Sequence, residues 1–464
     1  MTKRIVGIAI AMAFLLFFAL TPPPEGLAVP AWHVFGVLFS SVIMWLFDIF
    51  PKMIVTLYVC AACVVVGCYD SMSEALKSFM TSASIMVLGS FFLAGMLSQT
   101  NIPLRLVGFL TRFTKDSGKA FLLVILATCT LISSFCDDMT AATIVYTFVV
   151  SLFGIERRVV VEENRALRAA MMIGIPLAAY AGGCITPVGA PSNVVAIELL
   201  RATAGVDITF LQWFLIMIPI SWFIVIVLWA FLCLTLRPEP LDPATYRKIR
   251  EATSLGPWTA AEKKSLAVFL GMVALWFAGS AVPILSSPMV VIIGAIVMYL
   301  PGVDLMVPER FQKIASWDLF FLLPGVMVMA TVIERSSLIQ WLIDNAFTAL
   351  SGLPMPVTLF LACLVLFLIR VFIPAGPPVT ILAIPALIGI GAVAGIHPVT
   401  MTCIGVVWGT ICFMLPIDIL RAYTYDAGQF TVRQMWRAEV PTVLISLAFT
   451  TFYMPLAVGL AFPG

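Results

Sequence analysis

Two adjacent aspartates, Asp137 and Asp138, stand in a run that is otherwise apolar from 120 to 153. An ionised carboxylate in hydrocarbon costs at least about 2.5–3.5 kcal/mol on insertion scales, so the pair points to a cation or proton site. A proton role requires one of the two to stay protonated near neutral pH, which desolvation and repulsion by its neighbour favour. The same charges repel an anion unless a cation bridges them, and that gives one physical basis for coupling. The alternative is a solvated turn between two full crossings.

A second constellation is "GGCITPVGAPSNVVA" at 182–196. Gly183, Thr186, Gly189, Pro191, Ser192 and Asn193 cannot continue a regular helix, and their polar groups need partners in lipid. Ser192 and Asn193 then open a second half-helix, whose N-terminal dipole favours an anion. Further on, "PAGPPVT" at 374–380 places Gly376, Pro377 and Thr380 inside another apolar run, and "FMLPIDILRAY" sets Asp418 and Arg421 one turn apart. Those two form an internal pair, or else Arg421 meets an anionic substrate and Asp418 joins a cation site. Arg370 and Glu198 read as snorkelling or locally paired groups.

Other chemistries have less support. Cys60 and Cys63 have metal-like spacing but no second pair or histidine at zinc-site distance. His33 and His397 sit beside expected helix starts. Asp137 and Asp418 in separate halves would suit an intramembrane aspartyl protease, yet its Gly-x-Gly-Asp motif is absent. No basic cluster with interleaved aromatics suggests nucleic acid.

The elements that must position these residues lie in lipid. The 464 residues are 62% hydrophobic and 11% charged, against about 25% charged in a soluble domain, and the mean hydropathy is +1.09. Spans fall near 4–21, 32–50, 53–68, 80–100, 169–200, 211–236, 265–282, 287–301, 317–336, 398–422 and 439–460. Lys3 and Arg4 precede the first, and "TPPPEGLAVPAW" offers no small-x-small cleavage site, so that helix is retained. With the N-terminus inside, every Lys and Arg except Lys77, Arg201, Arg335 and Arg370 is cytoplasmic.

That topology requires 120–153 and 355–394 each to begin and end on one side of the membrane, inside for the first and outside for the second. With arms of about 15 to 20 residues and polar tips, re-entrant hairpins fit better than extra spans. Each is followed by a broken helix, 169–200 and 398–422. The expectation is an all-α polytopic membrane protein with about eleven transmembrane helices and two re-entrant hairpins in inverted repeats. Scaffold helices occupy 1–79, the first repeat 80–236, a cytoplasmic linker 237–264 and the second repeat 265–464. The linker reads as an amphipathic surface helix or a simple connection.

The opening "PPPEGLAVPAW", the break "GGCITPVGAPSNVVA" and "FMLPI" after the second hairpin resemble the divalent anion/sodium symporter family, which carries dicarboxylates, citrate or sulfate. The resemblance implies a homodimer with scaffold and transport domains, and sodium and substrate carboxylates bound at hairpin tips and helix breaks. Family tips carry Ser-Asn-Thr. Here Asp137, Asp138 and Met139 stand in the first tip, followed by Thr140, which is similar to the Asp-Asn-x-Thr tips of arsenite and sodium/proton carriers. Ala375, Gly376 and Pro377 stand in the second, and "IDILRAY" replaces Thr-Pro-Pro-Asn in the second break.

Together these residues suggest a secondary transporter of a small anion in the cell inner membrane, with sodium as the coupling ion. Proton coupling, substrate exchange and a channel stay open. The candidate substrate residues are Thr140, Thr186, Pro191, Ser192, Asn193, Gly376, Pro377 and Thr380 at the tips and breaks, with Arg421 for its charge. The ion residues are Asp137, Asp138, Gly183, Gly189 and Asp418, with sodium on the two adjacent aspartates and no organic cofactor.

Overall fold

Helix punctuation explains the first hairpin. Ser117 accepts from the Ala120 amide and starts the arm Gly118–Ser133. Asp137 accepts from the Met139 and Thr140 amides and starts the return arm Asp138–Phe153, satisfying donors that a helix start leaves orphaned. Gly154, at φ 56°, ends it in a left-handed geometry that glycine adopts without penalty. The computed structural model describes residues 2–47, 49–155, 164–282, 284–335, 341, 352–373 and 376–462. These residues are helical or loop, with no strand among them.

The same order of elements occurs twice. The first hairpin precedes a helix, Arg165–Gly183, that breaks over 184–190 and resumes as Pro191–Ala204. The second hairpin, Met355–Phe372 and Gly376–Val393, precedes Pro398–Thr410, a break over 411–418, and Ile419–Asp426. Each first half-helix packs on its own hairpin, while Pro191–Ala204 crosses to the second hairpin and to Pro398–Thr410. Arg165–Gly183 is almost wholly buried, so the break after it lies at the centre of the protein.

Helices also form over the remaining apolar stretches. Among the described residues five helices have the length and composition to cross a bilayer, and a bent pair, Ser82–Ser98 and Ile102–Thr111 at 66°, would make a sixth. The other apolar helices hold apolar stretches of 10–17 residues, shorter than the roughly 20 residues of a full crossing. Val29–Leu46 and Lys52–Val65 pack with Trp317–Arg335, while Thr2–Leu20 packs on Val29–Leu46, and part of this contact is a core of its own built on Val34, Val59 and Val328. In the linker, Asp242 caps the helix Pro243–Thr253, whose apolar side buries Ile249.

Candidate functional site

Four helix N-termini meet around one cavity of about 440 Å³. They belong to Asp138–Phe153, Pro191–Ala204, Gly376–Val393 and Ile419–Asp426, and present Asp137, Asp138, Met139 and Thr140; Pro191 and Ser192; Gly376, Pro377 and Pro378; and Asp418, Ile419 and Leu420. Both hairpin tips and both helix breaks thus share one space. Each N-terminus carries roughly half a positive charge and favours an anion. Asp137 and Asp418 cap two of them, Asp418 accepting from the Leu420 amide at 3.1 Å. Pro191, which has no side-chain cap before it, opens the third.

The charged lining is Lys52 and Arg370 against Asp137, Asp138 and Asp418. Lys52 makes no ion pair or hydrogen bond among the described residues, which leaves its ammonium available to an anion. Arg370 donates to Asp418 Oδ2 at 2.7 Å, to the Ile373 carbonyl at 2.6 Å and to the Thr410 carbonyl at 3.2 Å. Tyr180, from the first broken helix, donates to the other Asp418 oxygen, which joins the two halves across the cavity.

Beside the cavity the C-terminal ends of two helices form an oxygen-rich cradle. A Cβ on Gly189 would sit 2.9 Å from the Ser134 carbonyl oxygen and 3.0 Å from that of Ser133, and would collide with that of Gly183. A Cβ on Gly183 would run into the Asp138 carboxylate, which lies 3.0 Å from Ser133 Oγ. Asn193 is fully buried; its amide nitrogen bonds the Gly183 and Thr186 carbonyls, both at 2.7 Å, and its Oδ1 has no hydrogen-bond partner. Carbonyls, a carboxylate and an orphaned amide oxygen are the donor set of a hard monovalent cation. Among the described residues no cluster of three His, Cys, Asp or Glu is present to hold a transition metal.

The expected residues divide by position. Asp137, Asp138, Thr140, Pro191, Ser192, Gly376, Pro377 and Asp418 line the cavity, and Gly183 and Gly189 line the cradle. Thr186, Asn193 and Thr380 lie outside the lining and hold backbone: Thr186 bonds the Ser134 carbonyl and Thr380 the Gly376 carbonyl. Arg421 is also outside it, ion-paired with buried Glu439 and donating to the Cys412 carbonyl at 2.7 Å. The internal pair of Asp418 with Arg421 is replaced by two others, Asp418 with Arg370 and Arg421 with Glu439. Asp418 is the N-cap, turned toward the cavity, whereas Arg421 lies within the following helix. Pro374 and Ala375 of the second tip lie outside the described residues.

Sequence reasoning missed Lys52, Tyr180 and Arg370. Only Arg370 left a signal, as a charge inside an apolar run.

A model of the sodium:sulfate symporter transmembrane region matches residues 2–459. The chain belongs to that family. Sodium:sulfate symporter family proteins are transporters rather than enzymes. Its relatives include a citrate/succinate antiporter of Escherichia coli, 22% identical over 90% of each chain, and a membrane protein of Cupriavidus necator, 23% identical over 96% of this chain and 91% of the other. The sodium-dependent dicarboxylate transporter SdcS of Staphylococcus saprophyticus is 21% identical over 64% of this chain and 61% of its own. The crystal structure of the Alcanivorax borkumensis YdaH transporter covers 99% of both chains at a TM-score of 0.57 and 13% identity, a likeness of fold.

Proposed function

We propose that this sodium:sulfate symporter family member is a secondary transporter that moves a di- or tricarboxylate, or a sulfate-like anion, across the cell inner membrane by alternating access with sodium. The convergence of four helix N-termini on one cavity carries this reading, because it supplies positive potential to an anion from backbone that both halves contribute. Lys52 and Ser192 give the anion a counter-charge and a hydroxyl. The cradle at Gly189 takes the sodium ion and offsets Asp138, so that anion and cation favour each other's binding. The chain works as a homodimer with its N-terminus in the cytoplasm, in keeping with the family resemblance and with the placement of its basic residues.

Exchange of one anion for another is the second reading, favoured by the antiporter among the relatives. Reconstitution in liposomes separates the two: labelled succinate, citrate and sulfate are offered under imposed sodium or proton gradients, with empty or anion-loaded vesicles. Sodium-driven uptake into empty vesicles supports symport, and uptake only into loaded vesicles supports exchange. Absence of saturable uptake of every anion would falsify the substrate class.

A further inference from the structure

We propose that the Arg370 guanidinium is a tethered cation, filling in the second half of the chain the place that a mobile cation takes in the first, so that one exchangeable cation accompanies each substrate. The proposal rests on reading the chain as a cation-coupled anion transporter. It begins with the backbone. A helix ends with carbonyls that have no partner within it, and their partial negative charge attracts a cation.

In each half two such ends meet: the first hairpin arm and the half-helix that packs on it. In the first half they are the ends of Gly118–Ser133 and Arg165–Gly183, which bring the Ser133, Ser134 and Gly183 carbonyls around Gly189. No basic residue occurs anywhere in 120–153, so the hairpin itself provides no cationic side chain to answer them. Asp138 stands beside the cradle, and Asn193 Oδ1 is buried without a hydrogen-bond partner.

In the second half the ends are those of Met355–Phe372 and Pro398–Thr410. Arg370 sits within the last turn of the hairpin arm, and its guanidinium takes the Ile373 carbonyl, the Thr410 carbonyl and the Asp418 carboxylate together. The residue is 1% exposed. A guanidinium does not deprotonate in proteins, so its charge is permanent and travels with the chain. Asp418 is therefore neutralised in every state that keeps the pair, whereas Asp138, bonded by the Ser133 hydroxyl, has no ion-pair partner among the described residues. This accounts for a second tip and break without the hydroxyls and amides of the first: the guanidinium takes the Ile373 and Thr410 carbonyls, where in the first half the Thr186 hydroxyl and the Asn193 amide take those of Ser134 and Gly183.

The test uses the full-length protein in detergent, with guanidinium as probe. Arg370→Ala is expected to unfold at lower temperature than wild type, and millimolar guanidinium chloride, but not choline chloride, is expected to restore it while leaving wild type unchanged. A variant as stable as wild type, or indifferent to guanidinium, overturns the proposal. If Arg370→Ala does not accumulate, the double variant Arg370→Ala/Asp418→Asn removes both charges; it is expected to accumulate and to ignore guanidinium. Its failure to accumulate would assign Arg370 to packing and overturn the proposal as well. In proteoliposomes the wild-type cation dependence is expected to have a Hill coefficient of about 1; a value near two overturns the single-cation count. The detergent measurements need no transport, so an absence of anion uptake would defeat the functional reading on separate evidence.

Discussion

Gly189 is the residue on which the cation cradle turns. A methyl group there meets three backbone carbonyls, and backbone cannot move aside as a flexible side chain can. Overpacking of this kind costs typically about 1–3 kcal/mol, and under the proposed sodium coupling it would also fill the ion's place. Gly189→Ala should therefore lower the thermal-unfolding midpoint and weaken sodium-dependent stabilisation at least about tenfold in affinity, the equivalent of about 1.4 kcal/mol. Titrating the midpoint with sodium chloride against choline chloride checks it, and an unchanged sodium response would remove Gly189 from the site. The importance of Gly189 could be read from the sequence, since Gly and Pro in lipid announce a break. That of Lys52 could not, because a lysine at the end of a span is equally well explained by topology. Arg421 shows the converse: its type suited an anion, but its partner Glu439 lies in the last helix, Val432–Ala461, and only tertiary packing brings them together.

At the scale of elements, the apolar stretches and both breaks were plain in the residues. Mean apolarity and Gly/Pro punctuation act locally, and residues 169–200 and 398–422 each divide where those signals fall. Short polar helices such as Pro308–Ile314 carry too little periodicity to stand out. The linker left two readings open, and the structure selects the helix. It is tied down by charge: Arg105 reaches Glu262 at 2.9 Å and the Gly256 carbonyl at 3.0 Å, while its guanidinium lies 4.6 Å from the centre of the Trp258 ring. The Arg105 hydrogen bond holds Glu262 down at about 2, and the Thr245 hydroxyl does the same for Asp242, also at about 2. Both carboxyls thus titrate below their ordinary values of 4.5 and 3.8. Such groups contribute stability that is complete above the unfolded value and is lost as pH falls through the folded one. Docking of 239–262 should accordingly hold at pH 5 and weaken steadily between about pH 4 and pH 2. Hydrogen exchange of the Pro243–Thr253 amides across that range tests this; protection independent of pH would mean that apolar burial around Ile249 alone holds the linker. Glu262→Gln should remove part of the dependence.

For the whole molecule, the charge carried in one turnover follows from the cavity and the tethered arginine together. Asp418 and Arg370 cancel within the chain and move with it, so they contribute no net transfer of their own. A dianion crossing with one exchangeable cation carries a net charge of minus one, two cations would make the step electroneutral, and three would reverse its sign. Moving one elementary charge through the membrane potential is worth about 2.3 kcal/mol per 100 mV. A potential of about 60 mV therefore shifts the equilibrium accumulation by about tenfold. Succinate accumulation in proteoliposomes, driven by equal sodium gradients and clamped with potassium and valinomycin, should rise when the interior is positive and fall when it is negative. The Arg370→Ala variant, with its second cradle opened to a mobile ion, should lose that sensitivity, because two cations then balance the dianion. Wild-type uptake driven instead by an interior-negative potential would require at least three mobile cations, and a tethered guanidinium in the second half leaves no place for that many.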